Sequence, residues 1–152
     1  MRRYLQLCWS SRRGNAMLEF AISAAVLLPA FAGTFQFGYT FFTYNKLDSA
    51  VRSGARYASM RTYDSSTSTP STTFTTAVQN MVVYGNSAGT GSPLAPGLAR
   101  SNVEILPNMS GSIPQSITVR ITGYQVDAVF TTFIFNAKPS TTFTYTGTPS
   151  PF

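Results

Sequence analysis

The strongest hydrophobic pattern in the sequence is one long apolar run over residues 16–42, whose only charge is Glu19. As a helix this run is about 40 Å long, more than the ~30 Å of a bilayer core. A cleaved secretory signal peptide is the alternative, with Ala30-Phe31-Ala32 as its cleavage site. Residues 33–42 nevertheless stay apolar and aromatic. The pattern therefore favours a membrane-spanning helix over residues 16–42.

Beyond the span the pattern becomes amphipathic, which predicts that the same helix continues to residue 61. Apolar and small side chains recur at intervals of three and four, the spacing of one helix face: Leu47, Ala50, Val51, Gly54 and Ala58. The small residues Ala50, Gly54 and Ala58 permit a close backbone approach. Their partner is either the helix of a neighbouring subunit or the protein's own head, and the sequence leaves both open.

Two further features of the apolar run concern helix packing. Pro29 removes one backbone hydrogen bond in mid-span and predicts a kink there. Ala30, Thr34 and Gly38 form a second ladder of small residues at intervals of four, which suits helix association in lipid. Both features also occur in membrane helices that have no special role.

The remainder of the chain predicts a small β-rich head. Residues 62–76 are mostly Ser and Thr and predict a flexible linker. A short helix follows, and the head over residues 77–152 then carries β-prone runs at 102–106, 117–124, 128–135 and 141–145 that prolines punctuate. The predicted fold class is α+β, a long N-terminal transmembrane helix that continues into a small antiparallel sheet.

The net charge of +6 is unevenly distributed. Four of the positive charges lie before residue 15: Arg2, Arg3, Arg12 and Arg13. The rest of the chain has no cluster of Lys and Arg, so a nucleic-acid partner is not expected. Basic residues before the span place the N-terminus in the cytoplasm and the head outside it.

The sequence offers little for catalysis or metal binding. It contains no histidine and one cysteine, Cys8, which excludes His-based triads and disulfides within the chain. The acids outside the span are scattered among different segments, and no phosphate-binding glycine loop is present. We expect neither an enzyme nor a cofactor.

The segment around Gly14 carries the most specific signal. A carboxylate within an apolar helix costs a few kcal/mol and is rarely kept without a partner. Cleavage after Gly14 would create a new α-amino group at Asn15, and Glu19 would become the fifth residue of the new chain. Amine and carboxylate of neighbouring subunits could then neutralise each other. The alternative is that Glu19 lies close enough to the membrane surface for its carboxylate to reach the headgroups.

This arrangement resembles the processing signal of type IV pilins and pseudopilins, and in detail the TadE-like family of the tight-adherence (Tad/Flp) pilus machinery. The resemblance is carried by residues 12–60, in particular by Arg13-Gly14, Leu18-Glu19-Phe20-Ala21, Leu27-Leu28-Pro29, Phe35-Gln36-Phe37-Gly38 and the segment 50–58. It implies a processing site at Gly14 and Asn15, with Glu19 and Phe20 acting in assembly.

The resemblance also implies a function and a set of partners. The chain would be a minor pilin or pilus-assembly subunit, with residues 1–14 removed as a leader. Its partners would be a prepilin peptidase, other Tad pilins, the inner-membrane platform proteins and membrane lipid. Two other classes stay open, namely an uncleaved single-pass membrane scaffold and an exported adhesive or binding module.

Overall fold

The computed structural model describes residues 12–127 and 132–148, with side chains from Gly14 onward. The chain divides after Gly38 into two units. We call the described residues 14–38 the N-terminal unit and those from Tyr39 onward the C-terminal unit. The basic leader, apart from the helical backbone of Arg12 and Arg13, lies outside the described residues, as does Cys8.

Two helices precede the sheet. The first, α1, extends over Arg12–Met60 and contains Pro29, so the predicted continuation beyond the span is confirmed. The second, α2, extends over Thr72–Tyr84. Its N-cap is Ser71, whose hydroxyl accepts a hydrogen bond from the Phe74 N–H at 3.1 Å. Its C-cap is Gly85, which adopts the left-handed conformation at φ 75° that favours glycine.

Three strands form one antiparallel sheet in the order β1-β2-β3. Their bounds are Val103–Ser110 for β1, Ile113–Asp127 for β2 and Thr132–Thr144 for β3. β2 alternates buried and partly exposed residues along its centre, as the Ile117-to-Ile121 alternation predicts. The α+β fold class is therefore confirmed, with a long helix followed by a small antiparallel sheet.

Prolines end fewer strands than the sequence pattern predicts. Pro107 and Pro139 lie inside β1 and β3, which are the two edge strands, where a missing N–H is tolerated. Pro114 lies in β2 before the first residue that pairs with β3, Ser116. The runs 128–135 and 141–145 consequently belong to a single strand, β3, although residues 128–131 lie outside the described residues.

The Ser/Thr-rich segment 62–76 differs from the predicted flexible linker at both of its ends. α2 already begins at Thr72, because Ser71 supplies an N-cap. Tyr63 and Phe74 are fully buried, and their rings make an edge-to-face contact at 5.3 Å. The Ser/Thr-rich composition alone does not show that these two aromatic side chains fix the segment to the core.

The core of the C-terminal unit joins both helices to the inner face of the sheet. Its largest fully buried side chains include Leu47 and Val51 of α1, Val78 of α2, and Ile117 and Ile121 of β2. Burying a side chain of this kind stabilises the fold by about 1.5–3 kcal/mol. The amphipathic half of α1 is thus a structural element of the head.

The segment that follows β3 binds the end of α1. The N–H groups of Thr146 and Gly147 donate to the Ser59 carbonyl at 2.9 and 3.0 Å. The Tyr145 hydroxyl accepts from the Tyr63 N–H at 2.9 Å and lies 3.0 Å from the Arg61 carbonyl, to which it can donate. These bonds satisfy carbonyl groups that the end of a helix leaves without partners.

Candidate assembly interface

Apolar side chains surround the N-terminal unit on every side. Val26, Leu27 and Leu28 follow one another at steps of about 100° around the helix, yet all three are exposed. The most apolar stretch of the helix has a mean hydropathy of 1.8, and none of it is buried among the described residues. A helix that is apolar all round needs an apolar environment, which is how a membrane anchor is built.

Glu19 lies on this apolar helix as an exposed side chain. No hydrogen bond or ion pair to it occurs among the side chains described, those of residues 14–127 and 132–148. Gly14 and Asn15 are also exposed, and the neighbouring Phe20 has 72% of its surface accessible. The predicted processing and assembly residues therefore share one uncovered stretch of helix.

The ladder Ala30, Thr34 and Gly38 has no cover from the described residues. The Thr34 hydroxyl donates to the Ala30 carbonyl at 3.0 Å, so its polar group is satisfied within the helix. A Cβ built at Gly38 would meet nothing within 4 Å. The ladder stays available for another helix, and its predicted packing role remains a prediction. The helix is unbroken at Pro29, and the kink predicted there also remains a prediction.

The ladder of Ala50, Gly54 and Ala58 packs within the chain itself. All three residues are buried, and a Cβ at Gly54 would fall on Cγ2 of Val82 in α2. The absence of a side chain at Gly54 lets α1 and α2 approach closely. Of the two partners that the sequence leaves open for this ladder, the structure shows the protein's own head.

An aromatic cluster that the sequence analysis missed lies where the predicted span ends. Its members are Tyr39, Tyr44, Tyr124 and Phe135. The Tyr44 and Phe135 rings are 5.7 Å apart, and the Tyr124 and Phe135 rings stack at 6.3 Å. Burial, with a smaller contribution from Tyr39, raises the pKa of Tyr124, whose hydroxyl donates to the Pro96 carbonyl at 2.8 Å. The signal for this cluster in the sequence is Tyr44, an aromatic residue just beyond the apolar run, where tyrosines often mark a membrane interface.

The outer face of the sheet is polar, and Arg120 and Glu104 form an ion pair on it. Arg120 donates two hydrogen bonds to Glu104, at 2.8 and 2.9 Å, and Thr122 donates a third at 3.3 Å. The hydrogen bond from Arg120 is the main reason that the pKa of Glu104 lies below its ordinary value. Thr118 and Thr142 form a cross-strand hydroxyl contact at 2.7 Å.

Comparison with known proteins finds one family. Residues 14–56 match the family model described as TadE-like protein. The matched segment includes Gly14, Glu19, Pro29 and both small-residue ladders as far as Gly54. No curated protein and no solved structure matches the chain.

The match and the structure agree on the character of this segment. It is apolar and long enough to cross a membrane, and its uncovered residues include the predicted processing and assembly positions. Residues 14–56 are a TadE-like segment, which confirms the family resemblance over this part of the chain, and the helix that carries them is long and apolar enough to cross a membrane.

Proposed function

We propose that this chain is a minor pilin or pilus-assembly subunit of a Tad-type surface filament. The observation that supports the proposal most strongly is Glu19, a carboxylate without a described partner on a helix that is apolar all round. A charge in that position is costly unless it is neutralised. A neighbouring subunit is the partner that a filament supplies.

The proposal includes processing by a prepilin peptidase. The peptidase hydrolyses the peptide bond between Gly14 and Asn15, and water supplies the hydroxyl of the new carboxylate and a proton of the new amine. Asn15 then carries an α-amino group four residues before Glu19. Because one helical turn holds 3.6 residues, amine and carboxylate lie on one face of the helix, where each can meet its counterpart on a second subunit.

The proposed topology follows from charge and length. The arginines before residue 15 keep the N-terminus in the cytoplasm, and the helix crosses the bacterial inner membrane. The C-terminal unit then lies on the outer side, in the periplasm or on the assembled filament. Its role is structural, and the Tad platform proteins and other pilins are its expected partners.

The role of Glu19 is tested by Glu19→Gln, which keeps the size of the side chain and removes its charge. We expect the variant to insert into the membrane as the parent does, and to be lost from filaments sheared from the cell surface. Glu19→Asp is the matched control, since it keeps the charge on a side chain one methylene shorter. It should restore part of the incorporation.

Three outcomes are informative. Normal incorporation of Glu19→Gln would contradict pairing through the carboxylate. A parent protein that stays uncleaved in membranes and is absent from sheared filaments would instead identify a single-pass membrane scaffold. A parent protein that leaves the membrane on its own, without filaments, would identify an exported binding module.

A further inference from the structure

One end of the sheet in the C-terminal unit lies beside the residues of α1 that follow the predicted span. β3 runs in the same direction as the last part of α1. The segment after its last residue is hydrogen-bonded to Ser59, and Phe135 near its first residue contacts Tyr44. Moving along β3 toward Thr132 therefore leads toward Phe42, the last residue of the predicted span. The described residues at this end of β2 and β3 are thus the part of the sheet nearest the end of the predicted span.

The side chains at this end are suited to a lipid surface. Tyr39, Tyr44 and Tyr124 each combine an apolar ring with a polar hydroxyl, and such residues concentrate at membrane interfaces. Ile134 lies beside Phe135 on β3 and is 53% exposed although it is fully apolar. The Lys46 ammonium lies 4.7 Å over the Phe42 ring. A cation placed beside the end of an apolar run can reach anionic headgroups.

The polar groups at the same end limit how deeply this part of the sheet can enter a bilayer. Asp127 is the last described residue of β2 and accepts a hydrogen bond from the Thr132 hydroxyl at 3.3 Å. Gln125, which pairs with Ile134 across the sheet, is exposed. A carboxylate and an amide are tolerated among headgroups and water but are costly in hydrocarbon. At the headgroup layer the aromatic and apolar side chains can contact lipid while the carboxylate and the amide stay hydrated.

We infer that the hairpin end formed by Gln125, Asp127, Thr132 and Ile134 rests in the headgroup layer of the bilayer that the apolar helix spans. The occupant is a phospholipid surface, because Phe135 at this end contacts Tyr44, two residues beyond the predicted span. The inference rests on the helix being a membrane anchor, but not on filament assembly. The sheet is then held against the membrane.

Ile113 provides a matched control for Ile134. It is also an isoleucine on the sheet, and it has the same exposure of 53%. It pairs with Ser110 at the β1–β2 turn, at the opposite end of β2 from Gln125. An extended strand rises about 3.3 Å per residue, so the two positions lie up to roughly 40 Å apart along the sheet.

The experiment places a single tryptophan at each position. Ile134→Trp and Ile113→Trp are made in the full chain with Trp9→Phe, which removes the natural tryptophan. The proteins are reconstituted into vesicles of phosphatidylethanolamine and phosphatidylglycerol that carry brominated acyl chains. We expect blue-shifted emission and severalfold stronger quenching at position 134 than at 113. Vesicle flotation confirms anchoring, and circular dichroism confirms folding.

Equal quenching at the two positions, or none at 134 in a variant that folds and floats with the vesicles, would overturn the inference while leaving the membrane anchor intact. An emission shift at 134 that appears only when other pilus proteins are added would also overturn it, since the surface would then bind protein. Loss of flotation in both variants would contradict the anchor itself, on which the inference rests.

Discussion

At the scale of single residues, the two small-residue ladders of α1 differ in whether another element covers them. Gly38 faces open space, whereas Gly54 is covered by α2. The sequence pattern is the same in both, because it records only spacing. What separates them is whether the same chain supplies a second helix at that position. Glu19 resembles Gly38 in this respect, since both lie on the part of α1 that no described residue covers.

Gly54→Ala tests the close contact between the helices. The added methyl group would fall on Val82, which is fully buried and has little room to move. Overpacking of this kind costs about 1–3 kcal/mol, and the better helix propensity of alanine offsets up to ~1 kcal/mol of it. We expect a lower free energy of unfolding for the C-terminal unit, measured by near-ultraviolet circular dichroism in detergent micelles with denaturant.

The control for this substitution is Gly38→Ala, at an uncovered glycine of the same helix, which should leave the unfolding of the C-terminal unit unchanged. Adding Val82→Ala to Gly54→Ala should recover part of the lost stability, because the two methyl groups no longer compete. If Gly54→Ala alone were as stable as the parent, the packing described for α1 and α2 would be refuted.

The ion pair of Glu104 predicts a pH dependence. The folded-state pKa of this carboxyl is lowered, chiefly by the hydrogen bond from Arg120. Its contribution to stability is therefore present above the unfolded-state pKa and is lost as the pH falls through the folded-state value. We expect Glu104→Gln to unfold more easily than the parent at neutral pH, by a small amount since the pair is partly exposed.

The difference between Glu104→Gln and the parent should shrink in acid and also at high salt, which screens an exposed pair. Denaturant unfolding across the acid range measures both effects. A difference that stayed constant from neutral to acid pH would show that the carboxylate charge is not responsible.

At the scale of elements, the sequence predicts what is local and misses what is brought together by folding. The long helix, the α+β class and the Gly14 and Glu19 motif all follow from neighbouring residues. The aromatic cluster does not, because Tyr44 and Phe135 come from distant segments. β3 was divided in the prediction since Pro139 breaks central strands, whereas here it lies on an edge. Phe74 falls within the predicted linker 62–76, although its helical spacing from Ala77, Val78 and Met81 also predicts the short helix that the structure shows.

Tyr145→Phe tests the segment that binds the end of α1. The lost hydroxyl leaves the Tyr63 N–H without its acceptor and removes a donor beside the Arg61 carbonyl. Leaving a buried group unpaired costs about 1–3 kcal/mol. We expect a loss of that order in the free energy of unfolding, measured by the same denaturation.

Tyr84→Phe is the control for this loss. Its ring stays beneath Arg100, and no hydrogen bond between described residues uses the Tyr84 hydroxyl. The substitution should therefore have little effect. Equal losses in the two variants would show that removal of any tyrosine hydroxyl destabilises the chain, which would contradict a specific role for Tyr145.

At the scale of the whole molecule, the TadE-like segment carries two kinds of surface. One is the uncovered apolar helix with Glu19, and the other is the amphipathic half whose ladder is already packed against α2. Among the described residues, α2 covers the amphipathic half of α1, and no element covers the apolar half. In the proposed filament, the uncovered helix exchanges lipid for the helices of other subunits.

The central claim is that the chain is cut after Gly14, because only then does Glu19 gain an amine as its counterpart. Intact-mass analysis of the native protein, isolated from membranes and from sheared filaments, tests this most directly. The proposal predicts a chain that begins at Asn15, and retention of the full precursor in Gly14→Val but not in the control Gly33→Ala. A native protein that still begins at Met1 would contradict it.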